Sequence, residues 1–175
     1  MTGPDHPRVA EVARSLAEAG ATGEVRILPA EVRTAPAAAA ALGVPVGAIV
    51  NSLVFAVDDG QGTVPLLVLT SGAHRVDEVA VAGLLGVARI SRATPDFVRE
   101  HTGQAIGGVA PVGHPAPIGT LVDIELARHA HVWAAAGHPS AVFSTAYDEL
   151  LRLTAGTAAE VGTGPAPTEV VGGLA

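Results

Sequence analysis

Two residue types with distinctive chemistry, cysteine and lysine, are missing from the sequence. Without cysteine the chain has no disulfide bond, no zinc site with thiolate ligands and no cysteine nucleophile. Because lysine is absent, all 10 basic residues are arginines. The commonest amine for polarising or attacking a carbonyl group is therefore not available.

Aromatic residues and long apolar runs are also scarce. Aromatic side chains make up 3% of the 175 residues, whereas hydrophobic residues make up 49%, so aliphatic side chains must fill the core. No apolar run approaches the roughly 20 residues that a membrane-spanning helix needs. The start, Met1 to Pro7, is polar and has neither the basic nor the apolar region of a signal peptide. This pattern predicts a cytoplasmic protein.

Positive charge is in deficit. The chain has 17 acidic residues against 10 basic ones, a net charge of −7, which opposes broad binding to phosphates. Any contact with nucleic acid must be local or weak. Arg75, Arg89, Arg92 and Arg99 form either a local basic patch or an ordinary solvated helix surface.

Hydrophobic periodicity and turn signals predict alternating short helices and strands. Helices are expected over His6–Ala19, Thr34–Leu42, Arg75–Leu85, Thr94–Gly103 and from Ser144 to near Gly156, and strands over Val25–Leu28, Ile49–Val57, Val64–Thr70, Val87–Ile90, Leu121–Leu126, Val132–Ala136 and Ala141–Phe143. The hairpin and the late strands favour a mixed α/β (α+β) fold over a doubly wound one. We expect one domain over residues 1–156, with a mixed, mostly antiparallel sheet or partly open barrel and packed helices, and a flexible tail over residues 157–175.

Gly103 to His114 is the strongest local signal for a site. Its glycines let the backbone approach a ligand and direct N–H groups inward, while Pro111 stiffens the segment. It either holds a carbonyl or phosphate group or is a glycine-rich turn between strands. It is not a dinucleotide fingerprint, because no helix begins after the glycines.

Several segments of the chain, taken together and in their order along the sequence, resemble the YbaK family. That family is similar to the editing domain inserted in bacterial prolyl-tRNA synthetases. The resemblance rests on Ile49-Val50-Asn51-Ser52-Leu53-Val54-Phe55, Ser71-Gly72, Arg75-Val76-Asp77, Gly103 to His114, Val122-Asp123 and Trp133-Ala134-Ala135-Ala136-Gly137. It extends from about Val9 to Leu153. The order and spacing of these segments make the resemblance more specific than any one of them.

The resemblance implies hydrolysis of the ester between a mischarged amino acid and tRNA, without metal, cofactor or covalent intermediate. The partner is the acceptor end of the aminoacyl-tRNA, with no DNA or membrane, and a homodimer or a transient synthetase contact is compatible with it. The family's Gly-x-x-x-Pro loop, here Gly107 to Pro111, lines the aminoacyl pocket. In the family, a lysine that is important for activity occupies the position of Asn51. The resemblance therefore gives Asn51, Gly107 and Pro111 as the catalytic candidates.

Asn51 departs from the family pattern with a physical consequence. Asparagine is neutral and shorter than lysine, and it both donates and accepts hydrogen bonds. Losing one donor at a developing oxyanion costs on the order of 100- to 1,000-fold in rate. Three explanations stay open: another donor is used, the protein binds without turnover, or the change was introduced to inactivate the enzyme.

The remaining candidates are residues expected to contact the substrate. They are Val50, Leu53, Ser71, Gly72, Ile106, Gly108, Val109, Ala110, His114, Gly137 and His138. Aliphatic neighbours predict a small pocket for a side chain such as that of Ala, Ser or Cys. His114 either contacts the terminal adenosine, orients a water molecule, or is an exposed loop histidine without a ligand.

Other interpretations stay beside this one. Ser71 with His74 suggests a nucleophile and base, although a serine at a strand end is more often a turn residue. His129 and His131 would share a strand face and, with Asp123 or His114, suggest a metal site.

Asp123 is interpreted as a hydrogen-bond acceptor that braces the glycine loop rather than as a general base. The two functional hypotheses are a deacylase acting in trans and a non-catalytic module that binds an aminoacyl end, a nucleotide or a protein.

Overall fold

A computed structural model describes residues 5–162, which form eight strands, five α-helices and two short 3-10 helices. The helices are α1 Pro7–Glu18, α2 Ala35–Leu42, α3 Glu78–Leu85, α4 Pro95–Thr102 and α5 Tyr147–Thr154; the 3-10 helices are Val46–Ala48 and Ile124–Arg128. The strands are β1 Val25–Ile27, β2 Ile49–Asp58, β3 Thr63–Ser71, β4 Ile90–Arg92, β5 Gly119–Asp123, β6 Val132–Ala135, β7 Ala141–Thr145 and β8 Thr157–Ala159. None of the helices in this range is both long and apolar enough to cross a membrane.

The strands form one open mixed sheet. Within residues 5–162 its order is β1-β7-β6-β2-β3-β5-β8, with β4 paired to β2 outside this path. Four of the pairings are antiparallel and three, β2 with β6, β3 with β5 and β5 with β8, are parallel. The prediction of a mixed α/β domain with helices packed on a sheet is confirmed, and the sheet does not close into a barrel.

Strand β2 has an interruption along one edge. On one side β3 accompanies it from Val50 to Asp58. On the other side β6 pairs only with its first two residues, and β4 pairs only with Phe55 to Val57. Among the described residues, 5–162, no strand lies beside β2 between these two stretches. We call this opening the β6–β4 gap.

Helices cover both faces of the sheet. On one face Val50 and Val54 of β2 pack with α1, α4 and α5 around the first core cluster. On the other face Phe55 and Val57 pack with α3, and Ile49 packs with α2. Because successive strand residues point to opposite faces, Asn51 and Leu53 lie on the α2 and α3 face.

Local sequence signals set most helix ends. The Thr34 and Thr94 side chains accept hydrogen bonds from backbone N–H groups at the starts of α2 and α4, and Gly43 and Gly103 end these helices in the left-handed conformation. Helix α3 begins at Glu78 rather than near Arg75. The reason is that the Asp77 side chain caps it by accepting from Ala80 N.

The chain after β6 differs from the prediction. Ser144 does not start the final helix, because it lies in β7 opposite Trp133 and α5 begins only at Tyr147. The predicted tail is wrong for Thr157–Ala159, which pair with Leu121 to Asp123 as β8. Residues 163–175 of that tail lie outside the described residues.

Two shorter corrections concern the region before β6. The predicted strand Leu121–Leu126 ends at Asp123, whose side chain caps the following 3-10 helix. His129 and His131 precede β6 and therefore do not share a strand face as predicted.

Candidate active-site cleft

A cleft of about 470 Å³ opens on the sheet face that carries α2 and α3. Asn51 and Leu53 of β2 and Trp133 of β6 lie on its floor. Helix α2 forms one wall, His74 to Glu78 form another, and Ile106, Gly107 and Val109 border it at the β6–β4 gap. This volume lies within the range of small-ligand sites, about 300–1,000 Å³.

Asn51 is exposed to this cleft. It stands opposite Thr70 in the β2–β3 ladder, so its backbone is held by a long hairpin. Within residues 5–162 its side-chain amide has no hydrogen-bond partner. The amide is therefore free to donate to a bound ligand and to accept from it.

Gln104 shapes the glycine loop, which we define as residues 103–114. Its buried side-chain oxygen accepts from Ala110 N at 2.6 Å, and its Nε2 donates to Val112 O at 3.2 Å. Gly107 has φ +94°, a conformation that favours glycine. The Gln104 side chain thus links two parts of the glycine loop, at Ala110 and at Val112. The sequence did not indicate this role, because a buried glutamine has no distinctive local pattern.

The other side of the glycine loop rests on the turn after β6. Gly137 N donates to Gly108 O at 2.9 Å. His114 Nε2 donates to Ala110 O at 2.8 Å, and burial lowers the pKa of this histidine. His138 Nδ1 accepts from Ser140 N at 3.1 Å. These contacts place His114 and His138 behind the loop rather than in the cleft.

The cleft therefore brings together only part of the predicted substrate-contact set. Asn51, Gly107, Val50, Leu53, Gly72, Ile106 and Val109 line it. Pro111, Ser71, Gly108, Ala110, His114, Gly137 and His138 are not among the residues that line it.

Ser71 and His74 do not form a nucleophile and base. The buried Ser71 hydroxyl donates to Gly47 O at 2.8 Å, whereas His74 Nδ1 lies 3.0 Å from Asp123 Oδ2. Asp123 Oδ2 also accepts from Thr70 Oγ1 and Ser71 N. Asp123 is thus a buried acceptor that braces the end of β3, not the glycine loop as the sequence suggested.

Three arginines, Arg33, Arg75 and Arg92, supply positive charge to the cleft wall. Arg33 Nη2 pairs with Glu31 at 2.9 Å, and its Nη1 lies 3.5 Å from Ile106 O. Of the four arginines for which the sequence left a basic patch or a solvated surface open, Arg75 and Arg92 line the cleft and Arg89 and Arg99 do not. Arg33 was missed because it lies far from the others in sequence.

No group of three or more His, Asp or Glu side chains within residues 5–162 is arranged to hold a metal ion. His129 lies near Gly47 on the 3-10 helix before β2: a Cβ placed on Gly47 would be 2.9 Å from His129 Nε2.

Comparison with known proteins gives one consistent result. The aminoacyl-tRNA editing domain family matches residues 29–153. The proline–tRNA ligase of Delftia acidovorans is 33% identical over 135 residues, which cover 70% of this chain and 23% of the ligase. That of Bordetella parapertussis is 30% identical over 125 residues, covering 66% and 22%. The chain thus spans less than a quarter of these ligases.

Among solved structures, a protein put forward as a trans-editing enzyme for prolyl tRNA synthetase superposes with a TM-score of 0.82. It is 42% identical in sequence, and the match covers 91% of this chain and 99% of that one.

Proposed function

The chain belongs to the aminoacyl-tRNA editing domain family, and from this premise we propose that it hydrolyses, in trans, the ester of a tRNA mischarged with a small amino acid. The observation that carries the proposal is that Asn51 and Gly107, which are distant in sequence, border one cleft. The reaction would take place in the cytoplasm, with the acceptor end of the tRNA as the partner.

The cleft supports the proposal through its donors and its size. The glycine loop brings backbone close to the cleft at Gly107, and the Asn51 amide is free to donate. Arg33, Arg75 and Arg92 place cations where the phosphates of an acceptor end would approach. A preorganised set of donors of this kind stabilises the charge that develops on an ester carbonyl oxygen.

The reaction that fits these groups is direct hydrolysis. The oxygen of a water molecule, activated by a neighbouring ribose hydroxyl, adds to the ester carbonyl carbon. The ester C–O bond then breaks, the ribose oxygen takes a proton, and free amino acid and tRNA leave. No residue in the cleft needs to form a covalent bond, which agrees with the buried and hydrogen-bonded state of Ser71.

The test is a deacylation panel with purified tRNAs that carry different small amino acids. We expect the protein to release amino acid above the uncatalysed rate, and we expect Asn51→Lys to raise the rate by about 100-fold or more, since it restores a charged donor. Asn51→Ala is the control, which removes the amide without adding charge and lowers the rate.

Each outcome of the panel has a clear meaning. If amino acid is released only at the uncatalysed rate with both the wild-type protein and Asn51→Lys, the enzymatic proposal is wrong. A loss of activity in Asn51→Lys would show instead that asparagine has a role of its own at this position.

A second candidate function, a non-catalytic module that binds an aminoacyl end, is favoured by the neutral side chain of Asn51. It predicts equilibrium binding of an uncleavable aminoacyl-adenosine analogue without turnover of the corresponding ester. Failure to bind any such analogue counts against it.

A further inference from the structure

A small chamber adjoins the cleft at the β6–β4 gap. Its volume is about 40 Å³, and it is lined by Ser52, Leu53, Val54, Arg92, Ala93, Val98, Ile106, Gly107 and Val109. Most of these residues also line the cleft, so the two spaces are neighbours. The chamber lies between β2, the start of α4 and the glycine loop.

Ser52, one of the residues that line this chamber, has an unusual hydroxyl. Its Oγ is buried and is the one buried side-chain oxygen or nitrogen within residues 5–162 that lacks a hydrogen-bond partner. A buried hydroxyl without a partner destabilises the folded state, because it has lost its hydrogen bonds to water. Native proteins leave few such groups, and they call for an explanation.

The main chain of Ser52 also faces the gap. Val54 O accepts from Ala93 N on the β4 side of β2, whereas Ile49 O accepts from Gly72 N on the β3 side. Because N–H and C=O groups alternate in direction along a strand, those of Ser52 point away from β3. No strand in the described part of the chain pairs with β2 at that point, so these two groups border the gap.

The size of the chamber limits what it can accept. One water-sized group needs roughly 10–15 Å³ of such space, so a chamber of about 40 Å³ admits two or three non-hydrogen atoms. Val54, Val98 and Val109 give it an apolar wall that is itself buried. Arg92 also lines the chamber, so a ligand there meets polar groups beside Ser52 as well as these aliphatic side chains.

We propose that this chamber receives the side chain of the aminoacyl group and that the Ser52 hydroxyl selects a small side chain with its own hydroxyl, as in serine, over alanine. The inference rests on the proposed function and specifies the substrate class of the same site. The ligand hydroxyl forms a hydrogen bond with Ser52 Oγ once the serine side chain rotates toward the chamber, because Oγ is shielded in the unliganded protein. Alanine fits the space but leaves the Ser52 hydroxyl without a partner.

Equilibrium binding of two uncleavable analogues, seryl-adenosine and alanyl-adenosine with an amide in place of the ester, tests this proposal. We expect the wild-type protein to bind the seryl analogue about fivefold to tenfold more tightly than the alanyl analogue. A difference of this size corresponds to the net contribution of one hydrogen bond. Ser52→Ala abolishes the preference while it still binds the alanyl analogue. Ser52→Val fills the chamber and weakens binding of both analogues at least tenfold.

The matched control is Ser91→Ala, which removes an exposed serine hydroxyl from β4 outside the chamber and should leave both affinities unchanged. Thermal unfolding verifies that the variants fold.

An unchanged seryl-to-alanyl ratio in Ser52→Ala overturns the proposal, as does failure of the wild-type protein to bind either analogue. The binding measurement needs no turnover. If the wild-type protein deacylates tRNA but Ser52→Ala keeps the same seryl-to-alanyl affinity ratio, only the chamber assignment is refuted. If the ratio changes in Ser52→Ala but the wild-type protein does not deacylate tRNA, only the hydrolytic function is refuted.

Discussion

At Gly108 the glycine loop meets the turn after β6 without room for a side chain. An alanine Cβ there would lie 2.7 Å from the carbonyl carbon of His138 and 2.9 Å from Pro139 N. Both atoms belong to backbone, so the loop or the turn must move. Because Gly107 borders the cleft beside this contact, a shift at Gly108 alters the site without removing any group from it.

The first prediction concerns this contact. We expect Gly108→Ala to lower deacylation or analogue binding at least tenfold and to destabilise the fold by about 1–3 kcal/mol through overpacking. Activity and urea unfolding measure the two effects. Gly119→Ala is the control, since a Cβ at that position meets nothing within 4 Å. Equal behaviour of the two variants would contradict the proposed close packing.

Residue-scale reasoning from the sequence reached some of the site but not all of it. Asn51 and Gly107 were found from their motifs and lie at the cleft. Gln104 and Arg33 were not found, because their roles depend on contacts made in the folded chain. Gln104 bonds to the backbone of the glycine loop, and Arg33 approaches Ile106 from a distant part of the sequence. For His114 the sequence left open a contact with the substrate, the orientation of a water molecule and an exposed position without ligand, whereas its side chain donates a hydrogen bond to Ala110 O within the glycine loop.

At the scale of elements, Glu149 ties α5 to the segment after α1. Its carboxylate accepts from Thr22 N at 2.9 Å and from Thr145 Oγ1 at 2.6 Å. Burial raises the pKa of Glu149, but the hydrogen bonds from Thr145 and Thr22 outweigh it, and the net pKa lies below the ordinary value of 4.5. The folded state therefore favours the ionised carboxylate.

The second prediction gives the sign of the pH dependence. A lowered pKa contributes stability that is present above the unfolded value near 4.5 and is lost as the pH falls through the folded value. We expect Glu149→Gln to cost about 1–2 kcal/mol at pH 7, with the difference from wild type shrinking below pH 4.5. Urea unfolding across pH measures it. Glu24→Gln, at an exposed position, should show neither effect.

Strand β8 is the second element with a specific energetic role. It pairs with β5, and the following Val161 is fully buried in the hydrophobic cluster that Phe55 and Val57 form with α3. Val161 O accepts from Asp77 N at 2.8 Å at the start of α3. This segment thus holds the chain that carries Arg75 and Val76 along the cleft.

The third prediction compares two shortened chains that both lack residues 163–175. The chain that ends at Gly162 should be more stable than the chain that ends at Gly156 by at least about 2 kcal/mol, the contribution of one buried valine side chain. Thermal and urea unfolding measure the difference. Equal stability would show that β8 and Val161 add nothing to the fold.

Considered as a whole, the molecule is an acidic protein with a locally basic cleft. The net charge is −7, whereas Arg33, Arg75 and Arg92 all line the cleft. The proposed association with tRNA must therefore depend on few phosphate contacts. About three contacts to single-stranded RNA give a logarithmic salt slope near −2, since each contributes about 0.7.

The fourth prediction follows from this count. We expect Arg75→Gln to make the salt slope of tRNA binding shallower by about 0.7. Arg14→Gln changes the net charge equally but lies on α1, which packs on the opposite face of the sheet. Equal effects of both substitutions would show that net charge, rather than the cleft, governs binding. Titrations at several salt concentrations measure the slope.

The sequence by itself determined the family, the mixed α/β class, the β2–β3 hairpin and the capped ends of α2 and α4. These depend on local properties: hydrophobic period, capping side chains, turn residues and motif order. Tertiary structure alone decided which atoms face the cleft, because strand pairing and helix packing join residues far apart in the chain. The β6–β4 gap, the orphaned Ser52 hydroxyl beside it and the reach of Arg33 all arise from such pairings, and so does the return of β8 to β5.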